Sequence, residues 1–154
     1  MDSAIEYRIS LKYVEASAFP VKRTQKLAEF CPVFIIRKNG KEERVLGKPE
    51  ARTRVFLPDF VRFAVKLGAV EEGTHVRTAD DYAYLRLMIY GVLMSVAKNP
   101  VEFGYLEDLV LSMEPLTLRF WSSKIKYTFW RANRRALKRL AKHILAVERL
   151  GKAE

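Results

Sequence analysis

Between Arg131 and Lys142 the chain reads Arg-Ala-Asn-Arg-Arg-Ala-Leu-Lys-Arg-Leu-Ala-Lys, and Arg131, Arg134, Arg135, Lys138, Arg139 and Lys142 recur at intervals of three and four. On an α-helix that spacing puts all six on one side. A row of such cations has one obvious chemistry: it neutralises phosphates and releases the counterions condensed around them, the sequence-independent part of nucleic-acid binding. The opposite side would carry Trp130, Leu137, Leu140, Ala141, Ile144 and Val147, an apolar stripe to bury. Trp121, Tyr127, Phe129 and Trp130 lie just upstream. Exposed rings there would stack on unpaired bases, but Trp and Phe are core formers and core packing is the expectation. The cations themselves have two other uses: a solvated surface, or ion pairs with acidic residues elsewhere in the chain.

A second basic set falls in the N-terminal part: Arg8, Lys12, Arg37, Lys38, Lys41, Arg44, Arg52 and Arg54. On strands and hairpins these could meet a groove of nucleic acid. A different class of reading makes the protein an interaction subunit. Trp130, Leu137 and Ile144 are seven apart, with Asn133, Leu140 and Val147 between them, which is a short heptad seam for a homodimer or for packing within the chain. A membrane-surface helix also wants a basic amphipathic segment, but no lipid anchor accompanies this one.

Catalytic motifs are missing. Gly40 and the Gly47-Lys48 pair are too far apart for a phosphate loop, and Pro49 follows where Ser or Thr is needed. There is no G-x-G-x-x-G and no G-x-S-x-G, and neither His75 nor His143 sits by a nucleophile. Pro58-Asp59 resembles the opening of a restriction-nuclease motif, yet no acidic-x-Lys pair follows it. The acidic pairs Glu42/Glu43, Glu71/Glu72, Asp80/Asp81 and Glu107/Asp108 fit turns and helix first turns, where they cap and solvate. One Cys and two His make no zinc set. No enzyme activity, cofactor or metal is expected.

The formal charge of +10 is unevenly spread. Residues 1–66 hold 14 basic and 8 acidic residues, 67–118 hold 3 and 8, and 119–154 hold 11 and 2. An acidic middle between two basic ends speaks to partners rather than to fold. The chain has one Gln and three Asn beside abundant Lys, Arg and Glu, the composition of a thermophile's protein. Cys31 alone fits a reducing cytoplasm. The first residues include an acid and no apolar run, unlike a secretory leader.

The elements that would position the cations follow from periodicity. Residues 5–13 alternate apolar and polar, as a half-buried strand does. Residues 21–30 suggest a short helix or irregular crossover stopped by Pro32. Val33–Ile36 reads as an interior strand, Asn39-Gly40 as a type I′ turn, and 43–46 and 52–57 as further strands. Pro58-Asp59 opens a helix with Phe60, Phe63, Ala64 and Leu67 buried, ended by Gly68. Residues 69–77 read as loop with a brief strand at 75–77, His75 being exposed. Thr78 caps a helix reaching Lys98 that is apolar on nearly every side, the mark of a core helix. Asn99-Pro100 opens a third helix, and Pro115 restarts the chain into one long basic helix or two stacked ones.

The expected architecture is α+β in one domain over 1–154, mainly β over 1–57 and mainly α over 58–150. It has an antiparallel sheet of three or four strands packed on a helical layer ending in a long basic amphipathic helix. The expected function is non-enzymatic nucleic-acid binding through Arg131, Arg134, Arg135, Lys138, Arg139 and Lys142, with Arg52 and Arg54 from the sheet. The alternative is a basic accessory subunit docking on an acidic protein, with no membrane involved in either case.

Overall fold

A computed structural model describes residues 5–13, 24–97, 99, 101–131 and 133–152. The chain is α+β: among the described residues it has a six-stranded antiparallel sheet in the N-terminal part and five helices, the first of them between the fourth and fifth strands. The first four strands are β1 (Ile5–Tyr13), β2 (Gln25–Lys38), β3 (Lys41–Leu46) and β4 (Ala51–Phe56). β2 is the spine. β1 runs antiparallel along one side of it, from Ile5 opposite Phe34 to Tyr13 opposite Lys26. Its other side is shared end to end, with β4 on residues 25–30 and β3 on residues 33–38. The β2–β3 turn has Asn39 at φ 50° and Gly40 at φ 77°, the left-handed pair a two-residue type I′ hairpin requires.

The start of β2 corrects the helix or crossover expected over residues 21–30. From Gln25 onward those residues are strand, while 21–23 lie outside the described residues. Pro32 is not a stop because of where it falls. It sits opposite the interruption between β3 and β4, where Gly47 N–H donates to Pro32 O at 2.7 Å and Glu50 N–H to Phe30 O at 2.7 Å. A proline without a donor fits a position where the neighbouring strand is interrupted.

Two more strands, β5 (Val70–Glu72) and β6 (His75–Thr78), extend the sheet past β1, giving the order β3–β2–β1–β6–β5 with β4 also on β2. The sheet therefore has six strands rather than three or four, and His75 is a half-buried strand residue rather than an exposed loop residue. At three and four residues these strands are too short to show a period of two. Val76, buried opposite Ile9, anchors them.

The helices are α1 (Leu57–Lys66), α2 (Asp81–Met94), α3 (Glu102–Leu111), α4 (Pro115–Arg131) and α5 (Arg134–Lys152). α1 follows β4 without a loop and buries Phe60, Phe63 and Ala64. α2 is capped by Asp80, whose Oδ1 accepts from Tyr82 N at 2.8 Å and Ala83 N at 3.3 Å. Thr78, the expected cap, instead accepts from Asp80 N at 3.1 Å and so shapes the approach to the helix.

α2 is buried nearly all round and packs against the sheet and all four other helices. It lies so close to β4 that a Cβ on Gly91 would meet Thr53 Cγ2 at 3.0 Å and Val55 Cγ1 at 3.2 Å. Its one cation, Arg86, donates to the carbonyls of Val110, Leu111 and Met113 at 2.6, 3.2 and 3.2 Å, satisfying groups that the end of α3 leaves open. α3 begins with Asn99 Oδ1 accepting from Val101 N at 3.1 Å, and Pro100 lies outside the described residues.

The basic segment is two helices. Asn133 ends the run by capping α5: its Oδ1 accepts from Arg135 N at 3.0 Å and Ala136 N at 3.3 Å. The heptad seam through Trp130, Asn133 and Leu137 is therefore broken at its polar position, since Trp130 and Leu137 belong to different helices.

Among the described residues, no helix is long and apolar enough to cross a membrane. Cys31 is a free, buried thiol, and burial followed by the nearby Glu29 charge pushes its pKa up to about 11. Native protein at pH 8 is expected to leave Cys31 unmodified by an aromatic disulfide reagent that reacts fully with guanidinium-unfolded chain. Rapid reaction of the native thiol would show that the β2 region opens.

Candidate functional site

α5 presents two faces. Ala141 and Ile144 are buried and Leu137, Leu140 and Leu145 pack against the core, whereas Arg134, Arg135, Lys138, Arg139 and Lys142 are all exposed. Five of the six expected cations thus share one helix. Arg131 ends α4 instead, its guanidinium 5.3 Å from the centre of the Tyr127 ring. Among the described residues no carboxylate pairs with any of the six, so they do not engage the acidic 67–118 block.

The sheet cations behave differently. On the face away from the helices Glu6 accepts from Arg77 at 2.8 Å and Arg44 at 3.1 Å, with Arg8 at 4.0 Å. Glu29 pairs with Lys12 and accepts from Arg52 at 2.6 Å. Glu42 pairs with Arg37 and Arg44, each at 3.4 Å. Burial alone would raise the Glu6 and Glu29 carboxyls, but hydrogen bonds from Arg77 and Arg44, and from Lys12 and Arg52, outweigh it and hold both below the ordinary value of 4.5. Much of the sheet's positive charge is thereby neutralised within the sheet.

Arg52 and Arg54 lie on that face of β4, two residues apart, and Arg52 also stands 6.0 Å from the centre of the Phe129 ring. The β4 edge thus meets the C-terminal turns of α4 through Arg52.

The aromatics upstream of α5 are not all core. Trp121 is buried, its Nε1 donating to Glu148 Oε1 at 2.7 Å and its ring 5.7 Å from that of His143, which joins α4 to α5. Phe120, Tyr127 and Trp130 are 53, 61 and 59% exposed, and Leu116 is 81% exposed. Leu116, Phe120, Ser123, Tyr127 and Trp130 follow one another at intervals of four, three, four and three, one stripe along the outside of α4. The first four, with Arg119 and Lys124, line a shallow groove.

Sequence reasoning missed this stripe because α4 has two. Leu118, Trp121, Ser122 and Ile125 repeat with the same period and face inward. Periodicity finds both stripes; only the packing partner decides which is buried. Among the described residues no three His, Cys, Asp or Glu side chains gather where they could hold a metal ion. Comparison with protein-family models, curated proteins and solved structures finds no match to this chain.

Proposed function

We propose that the chain is a non-enzymatic nucleic-acid-binding protein that uses the cationic face of α5, extended by Arg131, to contact phosphates. One observation carries this reading. The sheet gathers many of its arginines around buried carboxylates, yet α5 leaves five exposed cations with no carboxylate beside them among the described residues. Like charges three and four residues apart on a helix repel. A polyanion at their common face relieves that repulsion and releases its own counterions.

Arg52 stands beside Phe129 but is paired with Glu29, so the proposed phosphate-contacting face is that of α5 with Arg131. The competing reading, an accessory subunit docking on an acidic protein, uses the same cations.

Titration with duplex DNA, single-stranded DNA and RNA at several salt concentrations separates them. With about six duplex phosphates neutralised, log affinity is expected to fall against log salt with a slope near about −5. Arg135→Ala with Arg139→Ala is expected to flatten that slope by about two, equally for unrelated sequences, with little change in melting temperature. Absence of binding to all three probes at low salt overturns the proposal in favour of the acidic-protein reading.

A further inference from the structure

The outer stripe of α4 is not explained by phosphate contacts. It is apolar, it lies opposite the face that packs on the core, and cations flank it on both sides. Arg119 lies on one flank, and Lys124 and Arg131 lie on the other. Lys124 sits 5.4 Å from the centre of the Phe120 ring and Arg131 5.3 Å from that of Tyr127. Around the helix these two cations fall between the ring stripe and Trp121, which packs on His143 of α5. The flank holding Lys124 and Arg131 is therefore the one turned toward α5. The outer side of α4 thus carries rings beside a cationic flank, and α5 adds its own exposed cations.

A second copy of this chain is a poor occupant. The spacing of the stripe is that of a helix–helix seam, but its described flanking charges at Arg119, Lys124 and Arg131 all have one sign. They would repel across a symmetric interface. A polyanion with flat apolar groups matches both features, since every base has a face that stacks on an aromatic ring and every linkage carries a phosphate. In a duplex those faces are already occupied.

We propose that Phe120, Tyr127 and Trp130 form a stacking platform for unpaired bases, so that the protein prefers single-stranded over duplex nucleic acid. This rests on the reading of α5 as the phosphate-contacting helix, and it adds the class of ligand.

The probes are fluorescein-labelled thymidine 20-mer and a 20-base-pair duplex, titrated by anisotropy in matched salt. Wild type is expected to bind the 20-mer at least about tenfold more tightly than the duplex, because each stacked ring contributes roughly fivefold or more. Phe120→Leu with Tyr127→Leu keeps the charges and a similar apolar stripe. It is expected to weaken 20-mer binding about 25-fold or more while leaving duplex affinity and the salt slope unchanged. Emission from exposed Trp130 is expected to be quenched by the 20-mer, and Trp130→Phe removes that quenching while buried Trp121 stays silent.

Equal affinity for both probes and an unaffected leucine variant would overturn the platform and leave the phosphate-binding proposal standing. No binding of either probe at low salt overturns both. A wild type that sediments as a dimer, a leucine variant that sediments as a monomer, and no strand preference in either would assign the stripe to self-association instead.

Discussion

Leu93→Asp is expected to yield no folded protein, and Val92→Asp the same. Both side chains are 0% exposed on α2, the helix that touches the sheet and all four other helices. Truncating a buried leucine costs about 2–5 kcal/mol before any charge is considered. An unpaired carboxylate in that apolar site adds several kcal/mol more, either as desolvated charge or as the cost of protonating it. Total stability for a domain is about 5–15 kcal/mol, so one substitution consumes most or all of it. Leu93→Met conserves volume and is expected to cost less than about 1.5 kcal/mol. Soluble expression and a cooperative thermal transition for the methionine variant, with neither for the aspartates, is the outcome to look for. A soluble, cooperatively melting Leu93→Asp protein would place the core elsewhere.

The second large effect concerns acid. Glu6 and Glu29 are 6 and 4% exposed, each ringed by cations, with carboxyls held below their ordinary value. A carboxylate whose folded-state pKa is depressed contributes stability that is complete above its unfolded-state value. That contribution is lost as pH falls through the lower folded-state value. The protein is therefore expected to weaken below about pH 4.5, its two sheet clusters failing together. Glu6→Gln with Glu29→Gln leaves Arg52 and Lys12 without their carboxylate partner, while Arg44 keeps Glu42 and Arg8 and Arg77 keep Glu72. Because Arg52 and Lys12 are themselves substantially exposed, the expected loss at pH 7 is about 2–4 kcal/mol for both sites together, less than the roughly 3–5 kcal/mol that each fully buried pair would cost. Urea unfolding at pH 7 and pH 3 reads both effects: the double variant should be weaker at pH 7 and lose less on acidification. Equal stability of wild type and variant at pH 7 would mean that the clusters contribute nothing net.

The fold was legible wherever one period held over a whole element. Ile9 and Leu11 against Arg8 and Lys12 showed β1, Asn39-Gly40 showed the hairpin, and the near-continuous apolarity of residues 82–97 showed the central helix, expected to reach Lys98 but ending at Met94. Misreadings arose where a local signal was overridden from a distance. Pro32 looks like a terminator until Gly47 and Glu50 interrupt the neighbouring strand opposite it. Val70–Glu72 looks like loop until β6, the brief strand expected at 75–77 and held by β1, supplies its partner.

The candidate site divides in the same way. The α5 cations were visible from spacing alone. Asn133 was read as a polar seam position rather than a cap, because both readings place a short amide among helix formers. The outward rings of α4 could not be told from its inward ones, since that choice belongs to α2 and α5, not to α4.

The arrangement around β1 also sets an order of assembly. β2, β3 and β4 follow one another along the chain, joined by a two-residue turn and a short bend, so their pairing closes only small loops and belongs among microsecond events. β1 reaches β2 across a modest gap as well. Its other side pairs with β6, Tyr7 opposite Thr78, a contact that spans the rest of the sheet meander and α1 along the chain. A contact of such long sequence separation is slow, because the chain loses the entropy of closing the loop before the contact rewards it. Until then β1 offers an unpaired strand edge to any other nascent chain. The four residues of β6 are what close that interval.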